Sequence, residues 1–586
     1  RTENGAVVNA RGERATYGSL ADAASKIAPP AQPTLKDAKN FKLIGTSPKR
    51  LDTPLKVNGT AGFGIDVKRP NMVYASLERC PVFEGKVASF DATKAKAVPG
   101  VKDVVQISNG VAVIADNTWA AMEGRKALSI KWDEGPRANN SSAGFRTMFA
   151  QMAGTPGKEA RKVGDPAAAL ASATKKVAAD YEAPFLSHAP MEPMNATAQI
   201  TADGVDVWTS CQIQSVAQSM AARIAGVPDA KVRIHTQYLG GGFGRRGGGD
   251  FVGEAVEIAK HTNGAPVKLT WTREDDMTHD NYRPASYVKF NAGLGADGLP
   301  TAVTATVACP AFGPTGQNGV DGNAVDGIFN APYKFAALKV DAHHPDTGVP
   351  CTYWRSVGYS QNTYFMESFV DEMAAAAGQD PVEYRRKLLN SPRALAVLNL
   401  AAEKADWGKA LPAGRARGVA VVNNIGSFNA IVAEVSTSGG KLKVHRVVCA
   451  VDCGVVVNPE ILRAQMESGV VYGLTTLKTA ITINKGRVVE TNFHQYEPLR
   501  IDDMPKVEVV GTLAWFFFII NLFKVPFSVW IGVIHGSSLA LNAALVPAIV
   551  AGLFGGRWLI HRIPQRVFEA TILVFAAGAS VRLLLG

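Results

Sequence analysis

The pattern of apolar and polar residues divides the chain near residue 510. Before that point, short β-type runs such as AQITADGVDVWTS (198–210) and APVKLTWTRE (265–274) alternate with helix-like stretches. Alternation with period two is typical of strands with one buried face, and interleaved helices favour an α+β arrangement. After Gly511 the chain is almost entirely apolar. We therefore expect a multi-domain α+β region followed by a segment of a different kind.

The α+β region divides further by composition. Residues 1–40 end in the Pro-rich run IAPPAQPTL, so we interpret them as the remnant of a preceding domain and a linker. Residues 41–140 combine short strands and turn pairs with one helix at Asn117–Ala127 and predict a small α+β domain. Residues 141–510 are long enough for one large mixed domain or two.

Local signals mark helices in the second half. A helical run over Asn362–Ala377 should stop at Gly378, because glycine commonly follows the last helical turn. Asp380-Pro381 and Asn458-Pro459 each combine a capping side chain with a proline in the first turn, so a helix should start at both places.

The apolar tail at 511–586 contains three successive runs, each of about the 20 residues that cross a bilayer as a helix. They predict membrane spans, with buried helices of a water-soluble domain as the alternative, and Lys524 and Pro526 inside the first run count against the prediction. Arg557, Arg562 and Arg566 lie between the second and third runs. Positive loops stay in the cytoplasm, so we expect an inner-membrane protein whose soluble region is cytoplasmic.

Charge and cysteine content exclude two classes of function. The formal net charge is +11, but the basic residues are scattered without a long basic run, so no nucleic-acid partner is predicted. The six cysteines form no CxxC pair. We expect buried thiols rather than disulfides or an iron–sulfur site in this chain.

The strongest chemical motif is a glycine-rich segment, YLGGGFGRR, at 238–246. It follows a β run and precedes a helix-like stretch, so its backbone N–H groups could face an anion such as a pyrophosphate. Gly242, Gly244 and Gly247 also satisfy the GxGxxG pattern of nicotinamide-binding folds. A purely structural turn is a third interpretation. Strand-rich sequence downstream disfavours the nicotinamide alternative.

Three further segments change this balance: FLSHAPMEPMNATA (185–198), VPCTYWRSVGYSQNTYFMESFVDE (349–372) and VVCAVDCGVVVNPEILRAQMESGVVYGL (447–474). With the glycine segment, in this order, they resemble the xanthine dehydrogenase/aldehyde oxidase superfamily, and within it the branch of the isoquinoline 1-oxidoreductase beta subunits. The resemblance covers about 1–508. It implies that residues 41–140 form an α/β hammerhead domain and that 141–510 form molybdopterin-binding domains.

The resemblance implies a molybdenum ion held by a pterin dithiolene, in the cytosine dinucleotide form, with no metal ligand from the protein. Pterin-contacting or metal-facing positions carry over to Gln212, Gly241, Gly242, Phe243, Gly244, Arg355 and Gln465. Neutral amides and one guanidinium suit an anionic cofactor. His188 and Glu192 are candidates only for packing or for supporting these residues. The implied electron acceptor is a small partner chain with [2Fe-2S] clusters.

The implied reaction is hydroxylation of an N-heterocycle or an aldehyde with oxygen from water. In this family it needs a general-base glutamate near the end of the large chain. That motif is absent where the sequence runs from KVEVV into WFFFIINLFK, so no catalytic residue is assigned and we expect impaired turnover. The beginning of the family pattern is also missing.

The tail has a resemblance of its own. NLFKVPFSVWIG and the link HRIPQRVFEA resemble the last helices of the TauE/SafE sulfite exporter family. Two alternatives to an enzyme therefore stay open. The chain could be a transporter fragment or membrane-anchored binding module, or a chimeric gene product without catalytic function. Many relatives in the isoquinoline branch are exported to the periplasm, which conflicts with the predicted cytoplasmic side.

Overall fold

The computed structural model describes residues 2–33 and 35–511. By its contacts the chain divides into two units, Arg1–Val509 and Val510–Gly586. The three predicted membrane spans lie outside the described residues. Among the residues that are described, no helix is both long and apolar enough to cross a bilayer.

Within these ranges the helices are α1 Tyr17–Ser25, α2 Thr53–Val57, α3 Thr93–Lys96, α4 Thr118–Lys126, α5 Ser142–Ala153, α6 Pro166–Ala171, α7 Gln214–Ala225, α8 Asp250–Ala259, α9 Arg273–Thr278, α10 Gly322–Val325, α11 Tyr359–Ala376, α12 Pro381–Leu388, α13 Pro392–Lys404 and α14 Pro459–Thr475.

The strands of the same ranges are β1 Thr2–Glu3, β2 Ala6–Val8, β3 Arg14–Thr16, β4 Val73–Arg79, β5 Lys86–Asp91, β6 Val101–Ile107, β7 Gly110–Ala115, β8 Ser129–Asp133, β9 Lys158–Val163, β10 Lys175–Ala183, β11 Asn195–Thr201, β12 Gly204–Thr209, β13 Val232–Thr236, β14 Val267–Thr270, β15 Ser286–Leu294, β16 Pro300–Ala308, β17 Leu338–His343, β18 Arg415–Asn424, β19 Ser427–Ser438, β20 Lys441–Asp452, β21 Ile483–Asn484, β22 Arg487–Val488 and β23 Lys506–Gly511. The mixed α/β character predicted from the sequence is confirmed.

The predicted helix boundaries are confirmed where capping signals were local. Asn117 accepts a hydrogen bond from the Ala120 N–H at the start of α4. Asp380 caps α12 and Asn458 caps α14 in the same way. Gly378, just beyond α11, adopts φ +65°, a conformation that glycine enters at little cost.

The largest sheet has the strand order β13-β12-β11-β14-β4-β7-β6. β4 pairs in parallel with β14, so one sheet joins strands from both sides of residue 140. The domain boundary predicted at residue 140 stays a prediction. Helices α7 and α8 pack on this sheet, and side chains such as Ala221, Phe251 and Val256 form its buried core.

The sheet also decides against the nicotinamide alternative. β13 and β14 flank α8 in sequence but are separated in the sheet by β12 and β11, which are antiparallel to each other. A doubly wound dinucleotide fold requires adjacent parallel strands there. The other large sheets are β10-β15-β16-β17-β9 and β18-β19-β20-β23.

Candidate functional site

Five of the seven predicted cofactor-binding residues line one cavity of about 430 Å³. Gln212 comes from the turn after β12, Phe243 and Gly244 from the loop after β13, Arg355 from the loop before α11, and Gln465 from α14. The remaining wall consists of Tyr353, Trp354, Ser356, Val357 and Ser468. Gly241 and Gly242 belong to the same loop as Phe243 but are not part of the cavity wall.

The glycine loop needs its glycines because other groups approach its backbone closely. Gly244 has φ +111°, and a Cβ there would lie 1.6 Å from the carbonyl oxygen of Tyr353. A Cβ on Gly242 would lie 2.5 Å from the side-chain oxygen of Gln212. That oxygen accepts a hydrogen bond from the Gly244 N–H at 3.0 Å. The NH₂ group of Gln212 is therefore the part of its carboxamide left to donate to a ligand.

Two fully buried arginines fix this loop from behind. Arg246 donates to the Gly241 carbonyl at 2.8 Å and pairs with the Glu192 carboxylate at 3.0 Å. Arg245 pairs with Asp250 at 2.6 Å and with Asp280 at 2.7 Å. The second half of the GGGFGRR motif is thus an anchor, and it does not offer its charges to the cavity.

The WRSVG loop contributes the positive charge of the site. The Arg355 guanidinium donates to the Ser468 hydroxyl at 2.9 Å and to the Gln465 carbonyl and side-chain oxygens at 2.9 and 3.2 Å. No carboxylate of the described residues pairs with it. Burial lowers the pKa of Arg355 from its ordinary value. A half-buried cation without a counter-ion is a natural partner for an anion.

The backbone that carries Arg355 is strained. Ser356 and Val357 both have positive φ, at +71° and +55°, which is a genuine outlier for a β-branched residue. The Val357 N–H donates to the Trp354 carbonyl at 2.6 Å and closes a tight turn. Such conformations cost roughly 1–3 kcal/mol each and cluster at functional sites.

A stack of three aromatic rings joins the motif segments. The Tyr472 ring lies between Phe243, at 4.2 Å between ring centroids, and Trp354, at 4.5 Å, with interplanar angles of 17° and 18°. Tyr472 belongs to α14, one helical turn after Ser468. Its sequence context, VVYGL, held no signal that singled it out.

His188 and Glu192 lie behind the cavity as supporting residues. The Asp280 carboxylate accepts from the His188 N–H at 2.7 Å and faces its ring at 3.2 Å, while the other ring nitrogen lies 3.0 Å from the Tyr353 carbonyl. Burial opposes ionisation of Asp280, but His188 and Arg245 outweigh it and lower the pKa of that carboxyl. The Glu192 carboxylate accepts from the Gly240 N–H at 2.9 Å and from Arg246.

The donor set of this cavity fits an anionic group that accepts hydrogen bonds. It offers a carboxamide NH₂, a guanidinium free of carboxylates, and a glycine loop that a ligand can approach closely. No Asp or Glu is among the described residues that line it. The arrangement can bind and orient an anion, but the described lining offers no carboxylate that could transfer a proton.

Comparison with known families agrees with this geometry. The molybdopterin cofactor-binding domain family matches residues 152–389, and a second family of the same description matches 393–505. The sulfite exporter TauE/SafE family matches 499–583. The described part of that last match includes β23, which belongs to a sheet with β18, β19 and β20.

Curated relatives cover most of the chain. The beta subunit of isoquinoline 1-oxidoreductase from Brevundimonas diminuta is 33% identical over 501 residues, which is 81% of this chain and 64% of that protein. Membrane-bound aldehyde dehydrogenase [pyrroloquinoline-quinone] of Gluconacetobacter polyoxogenes is 31% identical, with 81% and 67% covered. A nicotinate dehydrogenase chain of Pseudomonas putida is 27% identical, with 87% and 46% covered. The chain thus spans between about half and two thirds of their length.

Solved structures share the fold. Quinoline 2-oxidoreductase from Pseudomonas putida 86 superposes with a TM-score of 0.68 at 15% identity, covering 80% of this chain and 91% of that one. Aldehyde oxidoreductase from Desulfovibrio gigas gives 0.67 at 14% identity, covering 81% and 75%. Sequence identity, matched families and fold agree, and the chain belongs to the xanthine dehydrogenase/aldehyde oxidase family of molybdopterin-binding subunits.

Proposed function

We propose that this chain holds the molybdenum–pterin cofactor of a hydroxylase and that the cavity between Gln212, Arg355 and Gln465 is where it binds. The observation that carries the proposal is the Arg355 guanidinium. It is half-buried, has no carboxylate partner among the described residues, and faces the same cavity as the glycine loop and the Gln212 carboxamide.

Each predicted residue has a distinct task in this proposal. Arg355 binds an anionic part of the cofactor through its planar fork and is itself oriented by Ser468 and Gln465. The side-chain oxygen of Gln212 already accepts a hydrogen bond from the Gly244 N–H, so Gln212 meets the cofactor with its NH₂ group as donor. Gly241, Gly242, Phe243 and Gly244 supply a backbone surface that a bulkier sequence could not offer. When bound, the cofactor would supply the redox chemistry that hydroxylates an electron-poor carbon with oxygen from water.

The substrate class that we propose is an N-heterocycle or an aldehyde. Relatives named for isoquinoline, nicotinate and aldehyde support it. We further propose the cytosine dinucleotide form of the cofactor and a small [2Fe-2S] partner chain as electron acceptor. Both rest on the resemblance to the isoquinoline branch. Hydrolysing the extracted cofactor and identifying the released nucleotide would test the first, and co-purification of a chain with bound iron would test the second.

Cofactor content is the decisive measurement for this function. The full chain, co-produced with its iron–sulfur partner and the cofactor-maturation machinery, should contain close to one molybdenum and one pterin per chain. Arg355→Gln keeps a hydrogen-bonding side chain of moderate length but removes the charge, so it should lower that content severalfold. Arg386→Gln is the matched control, because Arg386 pairs with Glu383 on α12 and does not line the cavity, so its molybdenum and pterin content should equal that of the wild type. Wild-type chain without molybdenum or pterin would refute the proposal.

We also propose that residues 511–586 attach the chain to the inner membrane. The match of 499–583 to the sulfite exporter family and the three apolar runs support this. Arg557, Arg562 and Arg566 favour a cytoplasmic link and hence a cytoplasmic cofactor region. Protease added to the periplasmic side of intact cells should leave residues 1–510 uncut. Their digestion would overturn the orientation, and recovery of the chain in the soluble fraction would overturn the attachment.

A further inference from the structure

Tyr472 connects two loops that line the cavity, although it does not line the cavity itself. Its ring lies between Phe243 of the glycine loop and Trp354 of the loop that carries Arg355. Each stacked pair stabilises the arrangement beyond the area that it buries. One side chain of α14 therefore contacts both loops at once, in addition to the direct approach of Gly244 to the Tyr353 carbonyl.

The hydroxyl group of Tyr472 fixes the ring in that position. It donates to the His188 carbonyl at 2.9 Å. The neighbouring Ser187 carbonyl accepts from the Trp354 indole N–H at 3.3 Å. The His188 ring contacts the Tyr353 carbonyl, which is the group that excludes a Cβ at Gly244. The segment at 187–188 is thus the common base of the stack and of both loops.

Both loops have backbone conformations that need external support. Phe243 has φ +56°, and Ser356 and Val357 also have positive φ. A strained conformation persists only where its surroundings hold it. The Tyr472 ring contacts the side chain of the strained residue in one loop, Phe243. In the other loop it contacts Trp354, which accepts the hydrogen bond that closes the strained turn.

We infer that Tyr472 is a positioning residue that holds the Gly244 N–H with its Gln212 partner and the Arg355 guanidinium at a fixed separation before the cofactor binds. The inference rests on the proposed function for its purpose but makes a claim about the chain's own loops. The ring holds the two loops by stacking on Phe243 and Trp354, and the hydroxyl orients the ring through its hydrogen bond to the His188 carbonyl. A leucine would fill part of this space but would neither stack nor reach the His188 carbonyl.

Amide hydrogen exchange of the cofactor-free full chain tests the positioning directly. In Tyr472→Leu, peptides covering 240–247 and 353–358 should both exchange about tenfold faster, equivalent to about 1.4 kcal/mol. Tyr472→Phe keeps both stacks and should change exchange much less in either peptide. The matched control is Tyr384→Leu in α12, because Tyr384 is buried and its hydroxyl also donates to a backbone carbonyl, that of Gly298, at 3.0 Å.

Unchanged exchange in either loop of Tyr472→Leu would overturn the inference, as would equal acceleration in Tyr384→Leu, which would indicate general loosening. If Tyr472→Leu does not fold, Phe243→Leu removes one side of the stack and should still accelerate 353–358, because the Phe243 ring stacks on Tyr472, which stacks on Trp354. Failure to do so would also overturn it.

Pterin content then provides the second readout. With cofactor maturation and partner supplied, Tyr472→Leu should lose most of its pterin, whereas Tyr472→Phe and Tyr384→Leu should keep it. A wild-type chain that binds no pterin would remove the proposed function but leave the exchange result standing. A Tyr472→Leu chain with full pterin content, beside a pterin-containing wild type, would show that the positioning is dispensable and would refute the inference alone.

Discussion

Replacing Gly244 by alanine should damage both the stability of the chain and its cofactor site. The added Cβ would lie 1.6 Å from the Tyr353 carbonyl oxygen, whereas real Cβ contacts do not fall below 3.0 Å. The carbonyl would have to retreat by more than 1 Å, and it is held in place by the ring of His188 at 3.0 Å. Either the glycine loop or the WRSVG loop must therefore shift.

The expected loss has two parts. A φ of +111° is strained for any residue with a Cβ, at roughly 1–3 kcal/mol. Overpacking against the Tyr353 carbonyl adds about 1–3 kcal/mol. The sum, about 2–6 kcal/mol, is a large share of the ~5–15 kcal/mol by which domains are normally stable. Gly244→Ala should accordingly lower the free energy of unfolding by several kcal/mol and abolish pterin retention.

Gly247→Ala is the internal control, because Gly247 belongs to the same loop but its Cβ would lie 3.6 Å from the nearest atom, on Ile213. Its φ is not in the left-handed region. Denaturant unfolding of the purified full chain, followed by the fluorescence of Tyr and Trp, measures the difference between the two variants. If Gly244→Ala unfolds within ~0.5 kcal/mol of Gly247→Ala, the ordinary range for harmless surface changes, the close contact assigned here is wrong.

Three further changes test the surrounding groups. Arg355→Lys keeps the charge but not the planar fork, so the pterin content of the purified chain should fall severalfold, beside a small drop in melting temperature from the lost hydrogen bonds to Ser468 and Gln465. A pterin content equal to that of the wild type would contradict binding through the fork. Arg246→Met leaves the buried Glu192 carboxylate without its cation and should lower the free energy of unfolding by about 3–5 kcal/mol. Adding Glu192→Gln should restore part of that loss. If the losses of the two single variants simply add in the double variant, the ion pair is refuted. Burial and the nearby Asp280 raise the pKa of Asp276 above its ordinary value of 3.8 despite the Arg273 guanidinium at 2.5 Å, so this carboxyl favours the folded state at low pH and that contribution is lost as pH rises above 3.8. Asp276→Asn should therefore gain stability relative to wild type between pH 5 and pH 7, and a pH-independent difference would refute the shift.

Local signals in the sequence were sufficient for some features of the structure. Asn117, Asp380 and Asn458 cap helices where predicted, because a cap needs only a side chain and an N–H two or three residues away. The predicted cofactor-binding residues came from the resemblance, and five of the seven line one cavity.

The anchors behind the cavity could not be predicted in the same way. Arg246 pairs with Glu192, 54 residues earlier, and Arg245 with Asp280, 35 residues later. Nothing in a run of basic residues indicates whether they face solvent or which distant carboxylate neutralises them. Tyr472 was equally inconspicuous, because its importance comes from two rings that lie more than 100 residues away along the chain.

Because of β4, the folded unit begins earlier in the chain than the region that the family model matches. The matched cofactor-binding region begins at residue 152, but β4, at Val73–Arg79, pairs with β14 on one side and β7 on the other. A shortened protein starting near 152 would leave the edge of β14 open and remove the partners of the apolar side chains in that sheet. Unpaired, apolar edges of this kind recruit other chains. Any attempt to isolate the cofactor region should therefore retain residues from before Val73, or it will yield aggregates in place of a binding domain.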